Sequence, residues 1–255
     1  MKKNILILAV ALALPIIFHS CSNNDAEEPI YYGIATVVNP DSIVNFSFVH
    51  DNGNSLKVTE SGLSDKNYKP ADGKRIIPYY SYLSNNEESS TKNVRLLDIY
   101  EVLTKGIFEF TSETTQEVRD SIGDHPIKML DIWVGSHYLN TEFMYLVNGS
   151  TIIGHYINLV SDKTKTYDDG KIHLEFRHND NKDYPAYRSQ GIASFDLRPL
   201  QSQGTDSVKL VIHVNEYEVE KEKTYELTYK FNNSSDAVKK TTSGLMYRDA
   251  FSEIK

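Results

Sequence analysis

The apolar residues of this chain recur with a period of two along most of its length. In the segment SVKLVIHV, 207–214, apolar side chains at even positions alternate with Lys209 and His213. A period of two places successive side chains on opposite faces of a β-strand, whereas an amphipathic helix has a period near 3.6. The pattern therefore predicts an all-β protein in which each strand buries one face.

The first part of the chain contains five strand candidates before residue 110. Five short strands within about 80 residues favour a small closed barrel. Pro78 lies inside one of them and cannot donate a hydrogen bond to a neighbouring strand, which predicts an edge or a bulge there. The candidates are 32–38, 42–49, 56–58, 74–83 and 93–103.

The polar and acidic segment 111–124, TSETTQEVRDSIGD, is the clearest boundary inside the chain. Seven further strand candidates follow over about 110 residues, which favours an immunoglobulin-like β-sandwich. Cys21 is the only cysteine, so the sandwich cannot contain a disulfide within the chain. We expect Trp133, the single tryptophan, to anchor the core of the sandwich. The candidates are 127–134, 138–147, 151–160, 171–178, 191–197, 207–214 and 224–231.

The N-terminus has the order of a bacterial export signal, with two lysines, an apolar run at 5–18 and a small residue directly before Cys21. The run is shorter than the roughly 20 residues that cross a bilayer, and Pro15 interrupts it. We predict cleavage before Cys21 and attachment of lipid to its sulfur. The alternatives are a transmembrane helix, or an ordinary cleaved signal with an incidental cysteine. The segment SNNDAEEP, 22–29, is typical of a solvated acidic tether.

The chain is acidic, with a formal net charge of −8. Removal of the signal takes Lys2 and Lys3 with it and moves that charge by two units, to −10. Such a surface repels polyphosphates and anionic headgroups. We therefore expect no nucleic-acid partner, and we expect membrane attachment to depend on the lipid.

The densest polar group lies in HLEFRHNDNKD and comprises His173, His178, Asn179, Asp180 and Asp183, of which His173, His178 and Asp183 are the candidate metal ligands. His173 and His178 are five residues apart, so on one strand they point to opposite faces and need another segment to share a metal. The alternative is a strand end followed by a turn that uses its Asn and Asp side chains. His155, inside an apolar strand, is more typical of a hydrogen-bonded structural residue. The chain contains no motif for catalysis or cofactor binding, so we predict neither.

Tyrosine is abundant, with 17 residues, and several cluster in the segment KRIIPYYSYL. Tyr79, Tyr80 and Tyr82, beside Tyr68, are candidates for a ligand-binding aromatic face that stacks on sugar rings. The alternative is structural, because tyrosine fits the half-buried surface of a sheet.

Several segments in a fixed order resemble the NigD-like lipoproteins of Bacteroidota over nearly the whole mature chain. The resemblance implies an N-terminal OB-like barrel and a C-terminal β-sandwich. The family takes its name from a protein proposed to confer immunity in a bacteriocin operon, and it supplies no catalytic residues. The segments are DGKRIIPYYSYL (72–83), LTKG (103–106), DIWVGSHYLNTEF (131–143), GHYINLV (154–160), LEFRHN (174–179) and GIASFDL (191–197).

The sequence and the resemblance together predict a chain of five parts. They are a signal peptide at 1–20, a lipidated cysteine with its acidic tether at 21–30, an OB-like β-barrel at 31–112, a β-sandwich at 124–233 and a mobile C-terminal tail at 234–255.

The expected function is that of a non-enzymatic, lipid-anchored protein of the cell envelope that binds another macromolecule, as an immunity-like protector. Its partners would be the membrane, through the lipid on Cys21, and a protein or a glycan. A glycan-binding lipoprotein is the first alternative, and a metal-assisted hydrolase around His173, His178 and Asp183 is the second. We expect the outer membrane, with the periplasmic and the external side both left open.

Overall fold

The computed structural model of the chain describes residues 29–65, 68–83, 91–148, 153–217 and 223–232. Within these residues the protein consists almost entirely of strands, arranged as a barrel followed by a sandwich. None of the helices in the described ranges is long and apolar enough to cross a membrane. The predicted fold class, an OB-like barrel followed by an immunoglobulin-like β-sandwich, is confirmed.

The barrel closes because one strand pairs with strands at both ends of the sheet. The strand order is β1-β5-β2-β3-β4-β6, and β5 also pairs with β6. The pairing of β4 with β6 is parallel, and the other pairings are antiparallel. The additional pairing of β5 with β6 curls the sheet into an OB-like barrel. Its strands are β1 (Tyr31–Tyr32), β2 (Ala35–Ser42), β3 (Asn45–His50), β4 (Ser55–Ser61), β5 (Arg75–Tyr82) and β6 (Lys92–Glu101).

Pro78 explains why β1 and β2 are separate strands. Both pair with β5 in one continuous register, from Tyr31 opposite Tyr80 to Ala35 opposite Ile76. The ladder is interrupted between them, where Pro78 lacks the N–H that would continue it. The pairing of β5 with β6 shifts register between Tyr79 and Tyr80. The edge position predicted for Pro78 is wrong, because β5 is not an edge strand, and the bulge lies just after Pro78, between Tyr79 and Tyr80.

The sandwich consists of a four-stranded sheet, β7-β13-β10-β9, and a five-stranded sheet, β15-β14-β12-β11-β8. Three of its pairings are parallel, namely β7 with β13, β8 with β11 and β12 with β14. Phe143, Tyr145, Phe176 and Phe195 fill the core between the sheets. Its strands are β7 (Leu103–Lys105), β8 (Ile107–Phe110), β9 (Lys128–Gly135), β10 (Tyr138–Val147), β11 (Tyr156–Asp162), β12 (Ile172–Asn179), β13 (Tyr187–Asp196), β14 (Ser207–Val214) and β15 (Lys223–Lys230), with a 3-10 turn at Arg198–Leu200.

The segment between the two bodies differs from its sequence-based description. β7 and β8 lie inside the range predicted for the barrel, 31–112, yet they are hydrogen-bonded to strands of the sandwich. The polar segment after them contains a helix, α1 (Gln116–Ile122), whose first turn is capped by the Thr115 side chain. Ile122 packs with Phe110 and Val160 in a small cluster. A seven-residue helix with one buried residue carries no periodic signal, so the sequence did not predict it.

Hydrogen bonds from a buried ion pair of the barrel join it to the sandwich. The Arg75 guanidinium donates to both carboxylate oxygens of Asp51, at 2.5 and 2.8 Å, and its side chain is fully buried. It also donates to the Asn140 side-chain oxygen at 3.0 Å, and the Asn140 amide donates back to Asp51 at 2.9 Å. Ser194 donates to the same Asn140 oxygen. Arg75 and Asp51 belong to the barrel, whereas Asn140 and Ser194 belong to the sandwich.

An apolar cluster extends the contact between the two bodies. It includes Ile77 and Tyr79 of the barrel, Ile192 and Trp133 of the sandwich, and Val102 of the link between them. The prediction that Trp133 anchors the sandwich core is therefore wrong. Its neighbours in sequence, Ile132 and Val134, pack against that core, and alternation along β9 turns Trp133 to the opposite face.

We predict that Asp51→Ala destabilises the protein by about 3–5 kcal/mol, because it leaves the buried Arg75 charge without its counter-ion. Glu60→Ala is the matched control, since it breaks an exposed ion pair with Arg95 and should cost no more than about 1 kcal/mol. Urea denaturation gives both free energies of unfolding. Equal losses in the two variants would contradict the structural importance of the buried pair.

Candidate functional site

The predicted lipid-attachment residue, Cys21, lies outside the described residues, as do the signal at 1–20 and the tail at 234–255. These expectations therefore stay predictions. The other predicted site residues, three tyrosines of β5 and a His–Asp group, are all described.

The structure separates His173 from His178. His178 pairs with His155 inside the sandwich, with 2.8 Å between His155 Nδ1 and His178 Nε2. His173 pairs with His213 of β14, with 2.9 Å between His173 Nδ1 and His213 Nε2. The Tyr167 ring stacks on His173 with 3.5 Å between centroids. The two histidines thus belong to different groups on opposite faces of β12.

Asp183 joins the first of these groups. Its Oδ2 lies 3.2 Å from His155 Nε2 and accepts the Asn148 backbone N–H at 2.9 Å. The other end of the group is fixed by the His125 carbonyl, 3.3 Å from His178 Nδ1. His155, His178 and Asp183 are all buried. We call this set the buried histidine chain.

The buried histidine chain fixes a strained loop at one end of the sandwich. Asn181 and Lys182 have φ angles of 52° and 64°, a region that non-glycine residues rarely adopt. Asp183 holds the loop through its contacts with His155 and the Asn148 backbone N–H. The Asn181 side chain also holds it by donating to the Gly154 carbonyl. Tyr184, next to Asp183, is 72 % exposed. The network therefore fixes the backbone of a loop that presents an exposed ring.

Burial determines the ionisation of this chain. Desolvation, followed by the proximity of His155, lowers the pKa of His178 from 6.5 to about 4. Burial alone would raise the pKa of Asp183, but hydrogen bonds from the Asn148 amide and from His155 outweigh it and leave that pKa lowered. His178 is therefore neutral at pH 7 and Asp183 is ionised.

The arrangement is suited to holding loops together rather than to chemistry on a substrate. Every ring nitrogen of His155 and His178 already faces a protein atom, and the side chains are closed to solvent. Across the described ranges, no three or more His, Cys, Asp or Glu side chains are placed to hold a metal ion. His155 is hydrogen-bonded and buried inside the sandwich, as the sequence predicted. The sequence could not show that Asp183 reaches it from 28 residues away.

The three tyrosines of β5 do not share one surface. Tyr79 points toward the sandwich and stacks on Tyr32, with 5.1 Å between ring centroids. Tyr80 points into the barrel, where it packs in the core and its hydroxyl lies 3.2 Å from His50 Nε2. Tyr82, at the end of the strand, is exposed. Alternation along the strand separates Tyr79 from the other two.

A different aromatic surface forms around Tyr82. The Tyr31 ring meets it edge to face, with 4.9 Å between centroids, and the Lys92 ammonium lies 5.4 Å from the centre of the Tyr82 ring. Ile30 and Tyr31 are also exposed. We call Ile30, Tyr31, Tyr82 and Lys92 the barrel rim. Tyr31 was missed from the sequence because its place beside Tyr82 depends on the pairing of β1 with β5.

Two family models match the chain. A NigD-like N-terminal OB domain matches residues 34–102, and a NigD-like C-terminal beta sandwich domain matches residues 108–245. No curated protein is significantly similar to the chain.

Several solved structures share the fold of this chain. A protein of unknown function from Bacteroides vulgatus is 28% identical, with 80% of this chain and 92% of that chain covered and a TM-score of 0.64. A protein described as toxin-related from Parabacteroides distasonis is 25% identical, with 81% and 96% covered and a TM-score of 0.64. A NigD-like immunity protein from Bacteroides caccae is 18% identical, with 78% and 91% covered and a TM-score of 0.58.

We predict that His178 makes the protein less stable as the pH falls from 7 to 5. Its pKa is lower in the folded than in the unfolded chain, so the unfolded state binds more protons between pH 6.5 and 4. The resulting loss is about 2 kcal/mol between pH 7 and pH 5. Chemical denaturation at the two pH values measures it.

His178→Gln should reduce this pH dependence, whereas His125→Gln, at a half-exposed side chain, should retain it. Identical pH dependence in the wild type and in His178→Gln would show that another group is responsible.

Proposed function

The chain belongs to the NigD-like family, and from that premise we propose that it is a non-enzymatic, lipid-anchored envelope protein whose two β domains bind another macromolecule as one unit. The observation that carries the proposal is the buried histidine chain. His178 and Asp183 were candidates for a metal-assisted hydrolase, and a substrate cannot reach them or His155, because all three side chains are closed to solvent. The hydrogen bonds of these three side chains instead hold together loops that carry exposed side chains.

The anchoring part of the proposal comes from the sequence around Cys21. A charged start, an apolar run and a small residue before the single cysteine are what lipoprotein processing requires. Bacterial lipoproteins carry more than one acyl chain, and each buried CH₂ adds about 0.8 kcal/mol to membrane binding. Because the mature surface is acidic, the lipid would supply the attachment.

The immunity-like part rests on the similar structures. One is an immunity protein from Bacteroides caccae and another is a toxin-related protein from Parabacteroides distasonis. From the words toxin-related and immunity in these two descriptions, we infer a protein partner for this chain. A rigid pair of domains suits such a role, because a preorganised surface loses little conformational entropy when it binds.

We predict that the wild-type protein incorporates labelled palmitate and sediments with membranes, whereas Cys21→Ala does neither. Ser22→Ala is the control, because it changes the adjacent residue and keeps the sulfur. Fluorography of immunoprecipitated protein and fractionation of the cells provide the two measurements. A Cys21→Ala protein that still carries palmitate would refute lipid attachment at this residue.

We predict that a strain lacking the gene is killed more readily by secreted toxins of related Bacteroidota than its parent. Complementation with the wild-type gene should restore survival, and Cys21→Ala should restore less, because protection at the membrane needs the anchor. Survival of cells exposed to culture supernatants is the measurement. If no supernatant distinguishes the deletion strain from its parent, the immunity-like role fails while the anchoring proposal stands.

A further inference from the structure

The barrel rim combines exposed apolar and aromatic groups with a cation. Ile30 is 58 % exposed, Tyr31 42 % and Tyr82 38 %. The two tyrosine rings contact each other, so they form one continuous surface and not scattered residues. Tyrosine has an apolar ring and a polar hydroxyl, and it is enriched where proteins meet the headgroup layer of a bilayer. Lys92 adds a long side chain that can extend from an apolar surface into water.

The rim lies where the chain enters the barrel. Cys21 precedes Ile30 by nine residues, and a fully extended chain spans at most about 3.3–3.6 Å per residue. A lipid on Cys21 would therefore hold Ile30 within roughly 30 Å of the membrane surface. The rim is the part of the described body closest along the chain to that anchor. A weak contact suffices there, because tethering gives the rim a high effective concentration at the bilayer.

The other tyrosines of β5 do not reach the exposed surface that the rim forms. On the opposite face of β5, Tyr79 packs toward the sandwich with Trp133 and Ile192, so the sandwich covers that side. Tyr80, on the same face as Tyr82, is buried within the barrel. The rim is therefore the exposed end of an aromatic series that begins in the barrel core. A membrane contact there leaves the sandwich free for another partner.

We propose that the barrel rim rests on the lipid bilayer, with Ile30, Tyr31 and Tyr82 in the headgroup layer and Lys92 among the phosphates. The inference rests on the proposed lipid attachment at Cys21. Zwitterionic headgroups are the chemistry that fits, because they accept the tyrosine hydroxyls and the ammonium without repelling an acidic protein. The contact sets the orientation in which the anchored protein presents its sandwich.

Hydroxyl-radical footprinting of the wild-type lipoprotein tests the proposal. The purified lipidated protein is placed on phosphatidylethanolamine–phosphatidylcholine vesicles, and the Cys21→Ala protein, free in solution, is the reference. Mass spectrometry then measures oxidation of individual tyrosines. Tyr184 and Tyr187 on the sandwich, 72 % and 63 % exposed, are controls within the same molecule.

We expect oxidation of Tyr31 and Tyr82 to fall roughly threefold or more on vesicles as their rings leave water, while Tyr184 and Tyr187 are unchanged. Equal oxidation of Tyr31 and Tyr82 in the two samples, with the lipoprotein sedimenting with vesicles, overturns the rim contact and leaves lipid attachment intact. A wild-type protein that carries no palmitate and does not sediment overturns the anchoring proposal itself. Protection of the Cys21→Ala protein by soluble oligosaccharide would assign the rim to glycan binding and likewise overturn the membrane contact.

Discussion

The buried Arg75–Asp51 pair is the contact on which the relation between the two domains depends. Removing two charges from water is costly, and the cost is offset only when the charges meet in a good geometry and are supported by further hydrogen bonds. Asn140 supplies an acceptor to Arg75 and a donor to Asp51, so the sandwich completes a pair that the barrel begins. The Tyr138 ring lies 4.4 Å from the guanidinium carbon. Separation of the domains would expose the pair and remove these partners, which favours a single rigid unit.

The close approach at this contact also constrains the backbone. A Cβ atom on Gly135 would lie 2.2 Å from Asp51 Oδ2, so only glycine permits the carboxylate to reach its position. The buried histidine chain uses the same physical principle at the other end of the sandwich. There the Asp183 carboxylate holds a loop in place. In the same way, the Asp51 carboxylate holds the barrel against the sandwich by accepting from Asn140. In both places a buried polar group specifies geometry, and the apolar core supplies most of the stability.

The sequence predicted the strands well, because a period of two survives wherever one face of a strand is buried. It did not predict which faces meet. Arg75 and Asn140 are 65 residues apart, and no local pattern indicates that they share a carboxylate. The wrong prediction for Trp133 has a related cause. Alternation shows that Trp133 and Ile132 lie on opposite faces of the strand, but it does not show which of the two faces is buried in the sandwich core. Three of the segments that resemble the NigD-like family converge on the domain contact, where they contribute Arg75, Asn140 and Ser194.

Strand β5 shows how one register connects these features. Arg75 begins the strand in the domain contact, and Tyr82 ends it at the barrel rim, about 23 Å away along an extended strand. Between them, Tyr79 packs toward the sandwich and Tyr80 enters the barrel core. A slip of one residue would exchange these two faces and turn Arg75 away from Asp51. A shifted register would bury Arg75 without its counter-ion, and this cost favours the observed register. The observed register in turn places Tyr82 beside Tyr31.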